Sequence, residues 1–422
     1  MRWIRAAGRG LLVLAVVLAG YGASGARAAG GLEGRGPLTL ATAGDLTGYL
    51  GPLLQGWNRA HPGEKVTLVE LPDSADESRA QMITDLRGGT HSRFDVLNID
   101  VAWTSEFAAA GWIRPLPRDR FPLGSFLRPV VNTATYDGRL YAVPYVTNAG
   151  LLLYRKDVLA EEGVPPPRTW AELERAAKTI APRHGLDGYA GQFLPYEGLT
   201  VNAAEAVYSA GGTILGDEGD RVTVDSAARE GIGFLARGVR DGWVPKAALT
   251  YTEEESRQAF QNGHLLFLRN WPYAYVSASA AGSALAGKVG AVPLPGRDGP
   301  GTSVLGGSNL AVNTHAEHPD TAARLIAYLT SEGVQRQVLT KGALPPVRAD
   351  LYEDPELVRR FPYLPTLRAS VLTAAPRPKS PRYDQVSMVV QAVVHDAMSG
   401  HSTPEAAVRR LARELAAISR RG

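Results

Sequence analysis

The sequence predicts an α/β protein with two domains, and three observations support this fold class. Strand-like and helix-like segments alternate between residues 37 and 110, as in a sheet with helical crossovers. Without its leader the chain has about 390 residues, more than one ordinary hydrophobic core accommodates. The stretch from 139 to 173 contains an extended segment, an apolar run and a new helix start, and we interpret it as a crossing between two compact halves.

Residues 1–28 have the features of a secretory signal peptide. Three arginines in the first nine residues precede an apolar run at 11–20, and residues 26–28 fit a small-x-small cleavage site. Removing this segment lowers the basic count from 45 to 41 against 42 acidic residues, a net charge near −1. The electrostatic argument for nucleic-acid binding disappears with the leader.

The mature chain is predicted to lie on the periplasmic or extracellular face of the cell membrane, without a lipid anchor. A lipobox would place a cysteine after Leu18-Ala19-Gly20, where Tyr21 stands, and the whole chain has no cysteine. This composition also excludes disulfides, thiolate catalysis and cysteine–zinc sites. Beyond the leader, no run of about 18 apolar residues predicts a membrane-spanning helix.

Strand and helix signals alternate in the first third of the chain. Leu50, Leu53, Leu54 and Trp57 fall on one face of a helical pattern. Predicted strands cover 37–44, 66–71 and 94–100, and predicted helices cover 46–60, 77–86 and 103–110. This order predicts a layered α/β unit with right-handed crossovers.

The crossing stretch and the segments after it contain recognisable boundaries. Pro144 disfavours helical backbone at Val143, so an extended segment is predicted before the apolar run 151–154. Thr169 and Glu172 have the spacing of a capping box. Further predicted helices cover 169–181, 201–210, 226–241 behind a cap at Asp225, 253–262, 320–329, 334–339, 384–398, and 404–419 behind a cap at Thr403, and predicted strands cover 264–271 and 307–312.

Two predicted strands end in residues suited to holding a ligand. Trp271 and Asp100 stand at strand ends, and ligands of open α/β sheets bind at the carboxyl ends of strands. An indole offers a flat apolar surface to the C–H face of a sugar ring. Asp100, Asn148 and Glu253 can form hydrogen bonds with its hydroxyls. The alternatives are a core tryptophan at 271 and a helix N-cap at Asp100.

No catalytic, metal or cofactor site is predicted. The acids at 253–255 give no pairing of two carboxyls across a bond, and acids in a first helical turn complement the helix dipole. Residues 282–289 have phosphate-loop spacing, but Val289 replaces the Ser/Thr that would hold magnesium. His315 and His318 lack a third histidine at metal-ligand spacing, and no G-x-S-x-G elbow is present.

Seven segments spread over the mature chain carry a family resemblance. They include FDVLNIDVAWTSEFAAAGWIRPL and YTEEESRQAFQNGHLLFLRNWPYAY, and they lie at 94–116, 139–173, 251–275, 305–313, 318–337, 343–352 and 377–387. They resemble the extracellular solute-binding proteins of ABC importers, in particular the maltose/trehalose-binding cluster. The resemblance implies a periplasmic-binding-protein-like fold, with two α/β lobes joined by a hinge and a ligand cleft between them. Lobe 1 would comprise 37–146 plus 264–312, and lobe 2 would comprise 147–263 plus 313–422.

The resemblance also implies which residues hold a ligand. The positions that match family ligand contacts are Asp100, Asn148, Tyr196, Glu253, Trp271, Gly307 through its backbone, and Arg377. Arg382 competes with Arg377 for the role of the C-terminal arginine. Many relatives carry an aromatic residue after Gly306-Gly307, whereas Ser308 stands here, and this departure leaves the preferred sugar open.

The implied function is that of the substrate-binding component of an ABC transporter. A monomer without catalytic activity or affinity for nucleic acid would capture a sugar, for example the disaccharide trehalose or maltose, and deliver it to membrane permease subunits. Two alternatives remain: an exported glycosidase or lyase, and the same fold binding glycerol-phosphate or another oligosaccharide. A phosphate ligand would call for clustered cations or helix N-terminal donors, and the candidate set contains one arginine.

Overall fold

The computed structural model describes residues 32–44, 48–216, 219 and 221–420. The predicted signal peptide at 1–28 lies outside these residues, as does part of the predicted start of the first helix. No helix within the described ranges is long and apolar enough to cross a membrane.

Strands and helices alternate between Leu38 and Ala109, as the sequence predicts for this part of the chain. The strands are β1 (Leu38–Ala43), β2 (Val66–Leu71), β3 (Val96–Asp100), β4 (Thr135–Tyr136), β5 (Arg139–Leu140), β6 (Ala142–Ala149), β7 (Leu151–Arg155), β8 (Asp187–Ala190), β9 (Leu265–Asn270), β10 (Val289–Pro293) and β11 (Leu305–Val312). The α-helices are α1 (Leu50–Ala60), α2 (Ala75–Leu86), α3 (Thr104–Ala109), α4 (Arg128–Thr133), α5 (Lys156–Glu161), α6 (Trp170–Thr179), α7 (Glu197–Ser209), α8 (Ser226–Arg240), α9 (Glu253–Gln261), α10 (Pro272–Ser279), α11 (Pro319–Leu329), α12 (Glu332–Gly342), α13 (Pro355–Arg360), α14 (Leu364–Thr373), α15 (Tyr383–Met398) and α16 (Pro404–Ser419).

Two separate sheets form the cores of two lobes. The first sheet has the strand order β2-β1-β3-β11-β6 and defines lobe 1; the second has the order β10-β7-β9-β8 and defines lobe 2. In lobe 1 the first three strands are parallel, and β11 runs antiparallel to β3 and β6. All six residues of β9 are buried, as expected for an inner strand covered on both faces.

The observed strand pairing corrects the lobe boundaries expected from the resemblance. The resemblance implies 264–312 in lobe 1, but β9 pairs with β7 and β8, and β10 pairs with β7, so both strands belong to lobe 2. It implies 313–422 in lobe 2, but α11 and α12 pack on the side of lobe 1, where Gln335 donates to the carbonyl oxygen of Tyr145 at 3.0 Å. A fully buried strand such as β9 does not encode its partner locally, because either buried sheet would accept its apolar residues.

The chain passes between the two sheets at three places in the described residues. Gly150 alone separates β6 of lobe 1 from β7 of lobe 2, and this crossing lies within the stretch 139–173. The second crossing connects β10 to β11, and the third connects α14 to α15 through residues 374–382. These two are joined by backbone hydrogen bonds from Leu305 N to Ala375 O at 2.8 Å and from Ala375 N to Ser303 O at 3.0 Å. The second and third crossings therefore run side by side.

The helix caps predicted from the sequence are confirmed. Thr169 and Glu172 form the reciprocal capping box of α6, the Asp225 side chain accepts from two amides at the start of α8, and Thr403 caps α16. The helix predicted at 201–210 begins earlier, at Glu197. This difference matters for function, because it places a buried carboxylate at the start of α7.

Candidate functional site

Arg377 connects the two lobes at the third crossing. Its side chain is 2% exposed, and its guanidinium pairs with Asp100 at the end of β3 and with Glu197 at the start of α7. The bond to Glu197 Oε1 measures 2.6 Å. Glu197 also accepts from Tyr383 and from Ser387 Oγ. A single buried cation therefore joins an acid of lobe 1 to an acid of lobe 2.

The surroundings of Arg377 keep it charged and favour it over Arg382. Burial lowers the pKa of Arg377, but Asp100, Tyr383 and Glu197 raise it by more. The pKa of Arg377 therefore lies well above its ordinary value. Its Nε is buried and has no hydrogen-bond partner among the described residues. Arg382 donates instead to the carbonyl oxygen of Ile418 in α16 at 2.7 Å. Of the two arginines, Arg377 lies with the predicted site residues.

Asp100 stabilises a turn and is not the helix N-cap considered for it, because the cap position of α3 is Trp103. Its Oδ1 accepts from the backbone N–H of Ala102 at 2.8 Å, which fixes the turn between β3 and α3. The same carboxylate pairs with Arg377 and keeps a side-chain exposure of 23%. A turn-forming role therefore does not exclude a ligand-facing one.

The three consecutive acids at the start of α9 have three different environments. Glu255 completes a capping box with Thr252. Glu254 accepts from Arg257 Nη2 at 2.8 Å and from the Tyr273 hydroxyl at 2.8 Å. Glu253 accepts from the Tyr196 hydroxyl and, at 3.4 Å, from the indole Nε1 of Trp271. Glu253, Tyr196 and Trp271 thus form one cluster.

Trp271 belongs to lobe 2 but its ring reaches a strand of lobe 1. A Cβ atom added at Gly306 in β11 would lie 2.8 Å from Cη2 and 2.9 Å from Cζ3 of the indole. Gly306 pairs across the ladder with Asn148 of β6, and Asn148 Oδ1 is buried with no partner among the described residues. Glycine is therefore required at 306 by the approach of the ring, and Asn148 lies beside it.

Gly307 and Ser308 extend this contact toward Asp100. Gly307 has a φ of 108°, which favours glycine, and its carbonyl oxygen accepts from Val101 N at 3.3 Å. Ser308 lies directly opposite Asp100 in the ladder between β11 and β3. The segment 306–308 thus brings Asn148, Trp271 and Asp100 together at one end of the strands β3, β11 and β6.

The structure adds two residues that the sequence analysis did not name. Glu197 is described above, and Asp76 lies near the start of α2. Partial burial raises the pKa of Asp76; the Glu197 amide and Arg79 oppose this shift, and the carboxylates of Asp100 and Glu253 add to it. Asp76 is therefore close to both clusters. An acid in a first helical turn is common, so nothing in the local sequence distinguished it.

All seven predicted residues lie in this region between the lobes. Asp100 and Arg377 form one group, Tyr196, Glu253 and Trp271 form a second, and Asn148 and Gly307 lie on the adjacent strands β6 and β11. Within the described ranges, no group of three His, Cys, Asp or Glu side chains could hold a metal ion. The arrangement combines an aromatic face, carboxylates and one guanidinium, which suits a ligand that carries both C–H surface and hydroxyl groups.

Comparison with known proteins identifies the family. Residues 43–336 match the model of the bacterial extracellular solute-binding proteins. The chain belongs to this family. A probable ABC transporter-binding protein of Deinococcus radiodurans is 33% identical to it over 370 residues, which cover 85% of this chain and 88% of that protein.

Solved structures of family members have the same architecture. Maltose-bound MalE3 of T. maritima superposes with a TM-score of 0.84 at 35% identity and covers 90% of this chain and 99% of its own. The GacH receptor of Streptomyces glaucescens, whose structures include an acarbose complex, gives a TM-score of 0.80 at 25% identity, with 91% and 99% covered. The predicted periplasmic-binding-protein-like fold and the resemblance to solute-binding proteins of ABC sugar importers are confirmed.

Proposed function

We propose that this solute-binding protein captures a sugar of about disaccharide size, such as maltose or trehalose, between its lobes and delivers it to ABC permease subunits. The observation that carries the proposal is the cluster of Trp271, Glu253 and Tyr196. It lies next to the pair of Asp100 and Arg377, because Arg377 also binds Glu197, the residue after Tyr196. MalE3 with maltose and GacH with acarbose support a glucoside ligand. The departure at Ser308 leaves the sugar and its linkage to be measured.

The proposed contacts divide by chemistry. The indole of Trp271 would stack on a sugar ring, a contact made by an apolar face of matching size. Asp100, Glu253 and the unpartnered Oδ1 of Asn148 would accept hydrogen bonds from hydroxyls, and the unpartnered Nε of Arg377 would donate one. Buried polar atoms without partners are costly, so a hydroxyl that reaches them stabilises the complex.

Binding requires the lobes to separate and close. Arg79 of α2 lies 3.5 Å from Asp384 of α15, so helices of opposite lobes are in contact across the cleft. A cavity beside Arg377 has a volume of about 10 Å³, room for one water molecule at most. The three crossings would act as the hinge, and sugar contacts made only in the closed form would shift the population toward it.

The first alternative is an exported glycosidase or lyase. It is favoured by the carboxylate of Asp76, whose pKa is raised by burial and, to a smaller extent, by the neighbouring Asp100 and Glu253, because glycosidases use two carboxyl groups that face each other across the scissile bond. The receptor proposal is preferred because the family and its structural relatives are binding proteins. Incubation of purified protein with disaccharides separates the two: turnover supports the enzyme, and saturable binding of intact sugar supports the receptor.

The second alternative is a phosphorylated ligand such as glycerol-phosphate. The cleft holds the carboxylates of Asp76, Asp100, Glu197 and Glu253, while Arg377 is already paired with two of them. A phosphate would meet these negative charges, so a neutral ligand is preferred.

As further parts of the proposal, the protein is exported by the predicted signal peptide and acts as a monomer.

A thermal-shift panel followed by calorimetry tests the proposal. The panel contains maltose, trehalose, maltotriose, mannitol, glucose and glycerol 3-phosphate. A ligand present at about 100 times its dissociation constant adds about 2.7 kcal/mol to the stability. We expect a stabilising neutral sugar whose effect is lost in the variant Trp271→Ala, and we expect no shift with glycerol 3-phosphate. Stabilisation by glycerol 3-phosphate alone would reject the sugar ligand.

A further inference from the structure

A buried ion pair lies directly behind the ligand cleft in lobe 2. Arg269 of β9 is 1% exposed, and its Nε and Nη2 donate to the two carboxylate oxygens of Glu205 in α7 at 2.6 and 2.7 Å. Its Nη1 donates to Gln192 Oε1 at 2.8 Å. Every nitrogen of the guanidinium is engaged, so its plane is fixed by Glu205 of α7 and by Gln192, which follows β8.

The fixed guanidinium lies against the indole of Trp271. The Cζ atom of Arg269 is 4.1 Å from the ring centroid, within the range of a cation–π contact. The two residues are two apart at the end of a strand, where alternate side chains point to the same side. One face of the ring is therefore occupied by a cation, and the ring edge lies against Gly306.

The same ion pair also supports the crossings between the lobes. Glu205 Oε1 accepts from Val304 N at 3.2 Å and from Ser303 Oγ at 3.3 Å, both in the second crossing. A Cβ at Gly150, in the first crossing, would lie 2.7 Å from Nη2 of Arg269. The position of the indole is thus set relative to the segments that connect the lobes.

We propose that Arg269 is a positioning residue of the ligand cleft: held by Glu205 and Gln192, it fixes the orientation of the Trp271 ring and leaves one face for the ligand. The inference rests on the proposed function for its final step, since the ligand is taken to stack on Trp271. The orientation of the ring in the ligand-free protein is independent of the identity of the ligand.

The double variant R269M/E205Q tests this role. Removal of Arg269 alone would leave Glu205 buried and unpaired, which is destabilising for reasons unrelated to binding. The double variant removes both charges, keeps a flexible apolar side chain against the indole, and retains an amide oxygen that can accept from Val304 N. R269K keeps the charge but loses the planar guanidinium that stacks and pairs with Glu205.

Two readouts are measured for each variant. The near-ultraviolet circular dichroism of the ligand-free protein, taken as a difference from the corresponding W271F protein, reports the surroundings of the indole. Calorimetry with the sugar selected by the panel reports affinity. The control is R324M/E64Q, which removes an arginine–glutamate pair of lobe 1 in which Arg324 lies 6.0 Å from the ring of Trp57.

We expect R269M/E205Q to unfold near the wild-type temperature, to change the Trp271 difference spectrum, and to bind the sugar roughly tenfold more weakly. R324M/E64Q should leave both readouts at the wild-type level. A wild-type spectrum together with affinity within twofold of wild type would overturn the proposal. Wild-type stability of R269M/E205Q together with weakened binding separates positioning from a purely structural role.

If R269M/E205Q is too unstable to purify, R269K replaces it in the same two measurements. A changed spectrum with weaker binding then supports the positioning role of Arg269, and a wild-type spectrum with affinity within twofold of wild type overturns it. If the wild type binds no sugar in the panel, the proposed function fails, and the ligand-free spectrum alone decides whether Arg269 positions Trp271.

Discussion

The two sides of the cleft supply different chemistry. Lobe 1 contributes Asp100, Asn148 and Gly307, whose positions follow from the strand ladder of the first sheet. Lobe 2 contributes Tyr196, Glu253 and Trp271, which are positioned by side-chain hydrogen bonds and by the Arg269–Glu205 pair behind them. Backbone pairing determines the positions of the polar residues of lobe 1, and a network of side chains determines the positions of the aromatic residues of lobe 2. The aromatic side should therefore respond more to single substitutions at a distance.

Arg377 is the exception, because it belongs to a crossing and pairs with both lobes. The variant R377M removes the cation and leaves Asp100 and the buried Glu197 facing one another. We expect a loss of about 3–5 kcal/mol in the free energy of unfolding, the cost of breaking a buried pair. Urea denaturation measures it, with R382M as the matched control. A larger loss in R382M than in R377M would contradict the assignment of Arg377 to the junction.

The next largest effect should come from the aromatic side. Trp271→Ala should weaken sugar binding by about 3 kcal/mol or more, because the stacking surface is lost. Calorimetry with the preferred sugar measures the change, and Trp112→Ala, beside Phe107 in lobe 1, serves as the control. Unchanged affinity in Trp271→Ala would show that the ligand does not stack there.

Gly306→Ala tests the contact between the sides without removing a ligand group. Its methyl group would meet the indole at 2.8 Å, and overpacking of this kind costs about 1–3 kcal/mol. We expect lower stability and an altered tryptophan spectrum. Gly299→Ala is the matched control, since a Cβ there has no heavy atom within 4 Å. Equal behaviour of the two alanine variants would mean that the ring moves away freely.

The smallest effect concerns Asp76, in the first turn of α2. Because its pKa is raised in the folded protein, the folded state binds the proton more tightly, and stability falls as pH rises from the ordinary carboxyl value through the raised one. Asp76→Asn removes this contribution. Relative to wild type, the variant should gain stability between pH 4 and pH 7, by less than about 0.5 kcal/mol given solvent screening. Urea titrations at both pH values measure the difference. A loss of stability of Asp76→Asn relative to wild type over this pH range would contradict the prediction.

Local sequence predicted capped helices and the ends of two strands, but it did not predict the strands β8 and β10 or the helices α10, α13 and α14. The caps at Thr169, Asp225 and Thr403 were predictable because a cap depends on residues within one helical turn. The strand ends at Asp100 and Trp271 were predictable because an apolar strand stops where polar or aromatic residues begin. The position of Asp76 was not, since its neighbours Asp100, Glu197 and Glu253 are distant in the sequence.

The sequence by itself determined the α/β alternation, the helix boundaries at capped ends and, through family resemblance, the expected site residues. Only the tertiary structure decided that β9 belongs to lobe 2, that α11 and α12 pack on lobe 1, and that Glu253 rather than its two neighbours meets Trp271. The physical reason is the range of the interactions. Caps and amphipathic faces act within a few residues, whereas sheet partners and buried ion pairs are selected by groups far apart in the chain.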